Sequence, residues 1–215
     1  MNLYNRSMAN LMTLSRLIIL LLVVWIAYLP ASPWQYLNFV LIILIFVTDG
    51  LDGYIARKRN EESLFGALFD IAGDRIVELT LWIVFADLGL IPIWVPLVFV
   101  IRGTVVDTIR SSQSQTAGDS PFAMMRSTLG IWLVAGKFMR IFYAVIKAAA
   151  FCLLALLLPS AAVIPEIWGT IGIYFSGLTT FTVYLSVFLC LARGIPVVAE
   201  FVNSQKPAFT SGNKS

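Results

Sequence analysis

Four aspartates interrupt a chain that is otherwise strongly apolar: Asp49, Asp52, Asp70 and Asp74. An ionised carboxylate in the hydrocarbon region costs at least about 2.5–3.5 kcal/mol on insertion scales, so intramembrane acids are functional candidates by default. Four together also repel one another, and such a cluster persists only where protons or cations offset its charge. Asp49 and Asp52 are spaced i, i+3, and Asp70 and Asp74 i, i+4, so each pair shares one face of a helix. Two such faces turned toward each other make an oxygen-only cage for a hard divalent cation, Mg²⁺ or Mn²⁺.

The elements that must position these acids are membrane helices. Of the 215 residues 59% are hydrophobic and only 13% charged, with a mean hydropathy of +0.87. Soluble domains carry roughly a quarter charged residues, so the composition indicates an all-α, polytopic membrane protein. The pI is near 9.0, yet the basic residues form no tract, and no nucleic-acid partner is expected. The chain contains no histidine, which excludes a histidine base, a phosphohistidine intermediate and imidazole metal sites. Cys152 and Cys190 lie inside apolar runs and read as core residues.

Six transmembrane helices are expected, near 15–29, 34–57, 66–88, 93–110, 126–158 and 167–192, preceded by an interfacial helix over 3–16. Residues 17–29 read as a retained first span, not a cleaved signal. Residues 1–195 form a single membrane domain, and 196–215 a polar cytoplasmic tail, disordered in part. The loops at 29–34, 88–95 and 158–168 hold no Lys or Arg. The opposite ends carry Arg6, Arg16, Arg57, Lys58, Arg59, Arg110, Arg126, Arg193, Lys206 and Lys214. The positive-inside rule therefore places both termini and the aspartates on the cytoplasmic side of an inner membrane.

The pattern Asp-x2-Asp-Gly-x2-Ala-Arg-x8-Gly-x3-Asp-x3-Asp is satisfied at every fixed position over residues 49–74. At average composition such a match arises on the order of once in 10^10 placements. It resembles the signature of the CDP-alcohol phosphotransferase family, membrane enzymes that make phospholipids from CDP-linked precursors. The resemblance implies transfer of a phosphatidyl group from CDP-diacylglycerol to an acceptor alcohol with release of CMP, two Mg²⁺ or Mn²⁺ ions, and a homodimer. It makes Asp49, Asp52 and Asp70 metal ligands, and Asp74 a metal-proximal ligand and the general base. Gly53, Ala56, Arg57 and Gly66 fall to the CDP-lipid. Glycines permit close approach, Ala56 keeps that face narrow, and Arg57 offers a planar fork for phosphate oxygens. Asn10-x2-Thr13-x2-Arg16 is similar to the family's Pro-Asn-x2-Thr-x2-Arg segment, with Ala9 in place of proline. Asn10 and Thr13 then contact the nucleotide; the competing reading makes them interfacial helix caps.

Further cations suit an acceptor with its own phosphate. Arg102 and Arg110 sit on the fourth span, and Lys137, Arg140 and Lys147 on the fifth. Arg102, Arg110, Lys137 and Arg140 are expected at the acceptor phosphate. Arg102, Arg110 and Gly136-Lys137 resemble the branch whose acceptor is glycerol 3-phosphate, although Gly103 stands where that branch has glutamate and the segment from Arg110 to Lys137 is longer. An inositol phosphate, inositol or serine are the alternatives. For Arg110 and Arg140 the competing reading is snorkelling to the surface. Lys147, roughly mid-membrane, needs a partner or a wet cavity. Two other classes compete for the acids. One is ionic helix packing with Arg57 and Arg75; the other is a cation-coupled transporter, which predicts broken helices or repeated halves.

Overall fold

No glycine or proline interrupts residues 3–27, and the chain is helical across them as α1 (Leu3–Ala27). The computed structural model describes residues 3–59, 64–117 and 131–211, with side chains at 12–50, 66, 68–109, 111, 132–134 and 136–203. After α1 come a 3-10 turn (Pro33–Tyr36), α2 (Leu37–Arg59), α3 (Leu64–Asp87) and α4 (Trp94–Ala117). A π turn (Ile131–Ala135), α5 (Lys137–Val163) and α6 (Pro165–Ser211) complete the order, and no strand occurs among the described residues.

Three expectations are corrected. The interfacial helix and first span are one continuous helix, because nothing between them breaks the backbone pattern. The fifth element does not start as a plain helix. At Gly136 an added Cβ would lie 2.2 Å from the Trp132 carbonyl oxygen, so a π turn closes there and α5 begins at Lys137. Residues 126–130 of that expected span lie outside the described residues. The tail is also not open chain from residue 196, since α6 continues to Ser211 and buries Val197 against Val106, Ile109 and Val134.

By length and composition, three described helical stretches can cross a membrane: Pro33–Gly50, Lys137–Val163 and Pro165–Asn203. Met12–Ala27 is a shorter apolar helix. Helices α3 and α4 have spanning length at 24 residues each, but their charged residues keep them out of that set. Large apolar side chains such as Leu21, Trp25, Phe181 and Phe188 are exposed, as the surface of an integral membrane protein requires.

The chain forms two compact units. The first, Met1–Pro96 with Ala148–Thr182, is centred on Phe151, which is fully buried. Its ring lies 4.4 Å from that of Trp82, 6.0 Å from Phe46 and 6.4 Å from Phe85, so aromatic packing ties α5 to α2 and α3. One end of this unit is closed by polar locks. Gln35 Nε2 donates to the carbonyls of Ala27 (3.3 Å) and Leu29 (2.9 Å), satisfying acceptors that α1 leaves open. The Tyr28 hydroxyl donates to Asp87 at 2.5 Å. Gly89, at φ 75°, ends α3 with the paired bonds Leu90 N–H to Phe85 and Gly89 N–H to Ala86, both 3.0 Å. The second unit is Leu97–Lys147 with Val183–Ser215.

Candidate functional site

The locked end sets a common register for the first three helices. Arg16 lies 11 residues before the end of α1, Asp49 12 residues into α2, and Asp74 13 residues before the end of α3. At ~1.5 Å per residue, all three sit roughly 17–20 Å from that end and therefore at one level. There the carboxylates of Asp49, Asp70 and Asp74 converge, one oxygen of each lying within 4.8 Å of the others.

The charge that gathers them is Arg16. Its Nη1 donates to Asp49 and, at 2.7 Å, to Asp74; its Nη2 donates to Asp70 and, at 3.4 Å, to the Thr13 hydroxyl. Arg16 is only 2% exposed, whereas its acidic partners are 38–48% exposed. The guanidinium is thus the floor of the cluster and the carboxylates are its open face. Arg75 pairs with Glu78 at 3.3 Å on the same helix. The close approach of α1 and α3 here depends on Gly73, where an added Cβ would lie 2.6 Å from Thr13 Cγ2. Gly73→Val is expected to force α1 and α3 apart, lowering the thermal midpoint by several degrees and activity by at least about tenfold. A melting curve and a turnover assay on the same sample check both.

This donor set fits a hard divalent ion. Ligands of one Mg²⁺ at about 2.1 Å lie about 3–4 Å apart, so oxygens within 4.8 Å need only a small rotamer adjustment. All donors are oxygen, which suits Mg²⁺ or Mn²⁺ over thiolate-seeking metals.

The other expected residues divide by position. The side chains of Asn10, Asp52, Gly53, Ala56, Arg57 and Arg110 lie outside the described residues. Gly66 is one turn before Asp70 on α3. Thr13 is buried, with its hydroxyl turned to Arg16 and not to the surface. Arg102, Lys137 and Arg140 belong to the second unit, as does Lys147, whose ammonium lies 5.1 Å from the Tyr143 ring centre. Lys137 and Arg140 are exposed. The aliphatic stem of Arg102 packs where an alanine at Gly194 would collide, 2.8 Å from its Cγ. Sequence reasoning treated Arg193 only as a topology charge. It is buried, and its fork holds the carbonyls of Met139 (2.9 Å) and Val134 (3.3 Å) on either side of the Gly136 break. It likewise gave Arg16 and Gly73 no part in the site. The signal for Arg16 was available: an arginine inside the apolar stretch Met12–Ala27 demands acidic partners.

The family model for CDP-alcohol phosphatidyltransferases matches residues 6–203. Among similar proteins are two called "CDP-diacylglycerol--glycerol-3-phosphate 3-phosphatidyltransferase". The one from Wigglesworthia glossinidia brevipalpis is 34% identical over 46% of this chain and 56% of its own length. The one from Rickettsia prowazekii is 32% identical over 34% of this chain and 40% of its own. A "Putative cardiolipin synthase" of Mycobacterium tuberculosis (strain H37Rv) is 36% identical over 40% of this chain and 45% of its own length. The chain therefore spans about half, or less, of the length of the relatives it matches.

Proposed function

This chain belongs to the CDP-alcohol phosphatidyltransferase family, and on that premise we propose that it transfers a phosphatidyl group from CDP-diacylglycerol to glycerol 3-phosphate in phospholipid biosynthesis. The observation that carries the reading is the convergence of Asp49, Asp70 and Asp74 from α2 and α3 at one level, open on one face. In the reaction the acceptor oxygen attacks the phosphorus that carries diacylglycerol, and the P–O bond to CMP breaks. Asp74 accepts the proton lost by the acceptor hydroxyl. Asp49, Asp52, Asp70 and Asp74 would hold two Mg²⁺ or Mn²⁺ ions, which would supply charge neutralisation to the diphosphate. Arg57 grips phosphate oxygens, Gly53, Ala56 and Gly66 keep the surface beneath the CDP group narrow, and Asn10 meets the nucleotide. Arg102, Arg110, Lys137 and Arg140 receive the acceptor's phosphate. The site faces the cytoplasmic side of an inner membrane. Gly169 and Gly177 on α6 face open space, which suits a homodimer contact.

The names of the relatives called "CDP-diacylglycerol--glycerol-3-phosphate 3-phosphatidyltransferase" favour glycerol 3-phosphate as the acceptor. The test is the full chain in lipid nanodiscs with CDP-diacylglycerol, Mg²⁺ or Mn²⁺, and a panel of radiolabelled acceptors that adds an inositol phosphate, inositol and serine. Label from glycerol 3-phosphate is expected in the lipid phase, and its absence there overturns this acceptor. Lys137→Ala is expected to raise the KM for glycerol 3-phosphate about tenfold with kcat little changed, the mark of lost uniform binding. An unchanged KM removes Lys137 from the acceptor site.

A further inference from the structure

We propose that Arg16 is the positioning residue of the carboxylate cluster. Its guanidinium gathers one oxygen of each aspartate from beneath and leaves the remainder of each carboxylate facing outward toward a divalent ion. The proposal rests on the metal reading above, and goes beyond it by assigning a cation, which cannot itself ligate a metal, to the metal centre.

Three observations carry it. All three aspartates meet Arg16 through Oδ1, while their side chains stay 38–48% exposed, so each carboxylate keeps a side open to solvent. The fork is itself fixed: Arg16 is 2% exposed, Thr13 lies within 3.4 Å of Nη2, and the Gly73–Thr13 contact seats α1 against α3. The geometry also needs a planar fork. One nitrogen bridges α2 and α3 through Asp49 and Asp74, and the second holds Asp70. A lysine ammonium is a point charge on a flexible stem and cannot span the three in a fixed plane. Residues that orient metal ligands this way are commonly worth about 10–100-fold in metal affinity.

The sign of the effect separates this role from simple charge balance. If Arg16 only neutralised the acids, it would compete with the ion, and removing its charge would tighten metal binding. As a positioning residue, its loss lets the acids splay and weakens binding. The experiment is Mn²⁺ binding to the full chain in nanodiscs without substrate, read by electron paramagnetic resonance of free Mn²⁺. Arg16→Gln and Arg16→Lys are each expected to weaken Mn²⁺ binding by about 10–100-fold. The lysine variant keeps the charge and tests the fork alone, including where the glutamine variant does not fold. Equal or tighter binding by Arg16→Lys overturns the proposal, and so does loss of the folded chain in both variants, which makes the residue structural only. Absence of Mn²⁺ binding by the unsubstituted chain overturns the metal reading itself and the Arg16 assignment with it.

Discussion

Chains carrying Asp70→Asn or Asp74→Asn are expected to insert and fold, yet release CMP from CDP-diacylglycerol at least about 10^3-fold more slowly. Each substitution keeps shape and volume but removes a negative charge from a face that is nearly half exposed. Folding has little to lose, because Arg16 retains two of its three acidic partners and one carboxylate–carboxylate repulsion disappears. Catalysis loses much more. Charge stabilisation at a preorganised site accounts for about 4 kcal/mol of barrier, and each ~1.4 kcal/mol is tenfold in rate. The assay is CMP release, with size-exclusion elution and melting of the same sample as the fold control. Turnover within tenfold of the unsubstituted chain in both variants would remove these residues from the reaction.

Chelation is the second large effect. EDTA is expected to abolish turnover, and Mg²⁺ or Mn²⁺ to restore it, because only hard, oxygen-seeking ions match an all-carboxylate donor set. The treated chain should nevertheless stay folded, with its thermal midpoint within a few degrees. Arg16 already pairs with Asp49, Asp70 and Asp74 without any ion, so the acids are never left bare. Activity that persists after exhaustive chelation would reject the metal reading, and collapse of the fold would show that the ion is structural.

How much of this was legible in the sequence depends on whether the signal is local. The spacing of Asp49, Asp70 and Asp74 is local, fixed by helical periodicity, and their convergence follows once α2 and α3 run antiparallel. The helical class and the membrane character are compositional, and were equally plain. Contacts between distant segments were not. An arginine inside the apolar stretch Met12–Ala27 calls for acidic partners, but which acids answer Arg16 shows only when α1 is laid against α2 and α3. Gly73 reads as a helix weakener until Thr13 is found against it. Arg193 reads as a topology marker until the Gly136 break supplies the carbonyls that it holds. The continuation of α6 past Arg193 was hidden for another reason. The polar composition of its last residues suggests open chain, but Val197 and its neighbours give that stretch an apolar surface to bury.

The burial of Arg16 also bears on how the protein is made. Its partners lie 33, 54 and 58 residues further along the chain, so the ribosome delivers the cation well before the anions that will neutralise it. A nascent α1 emerging alone must place an uncompensated guanidinium within an apolar stretch, at about 2.5–3.5 kcal/mol on insertion scales. That cost is offset only once α3 has been synthesised, because two of the three acidic partners, Asp70 and Asp74, lie on it.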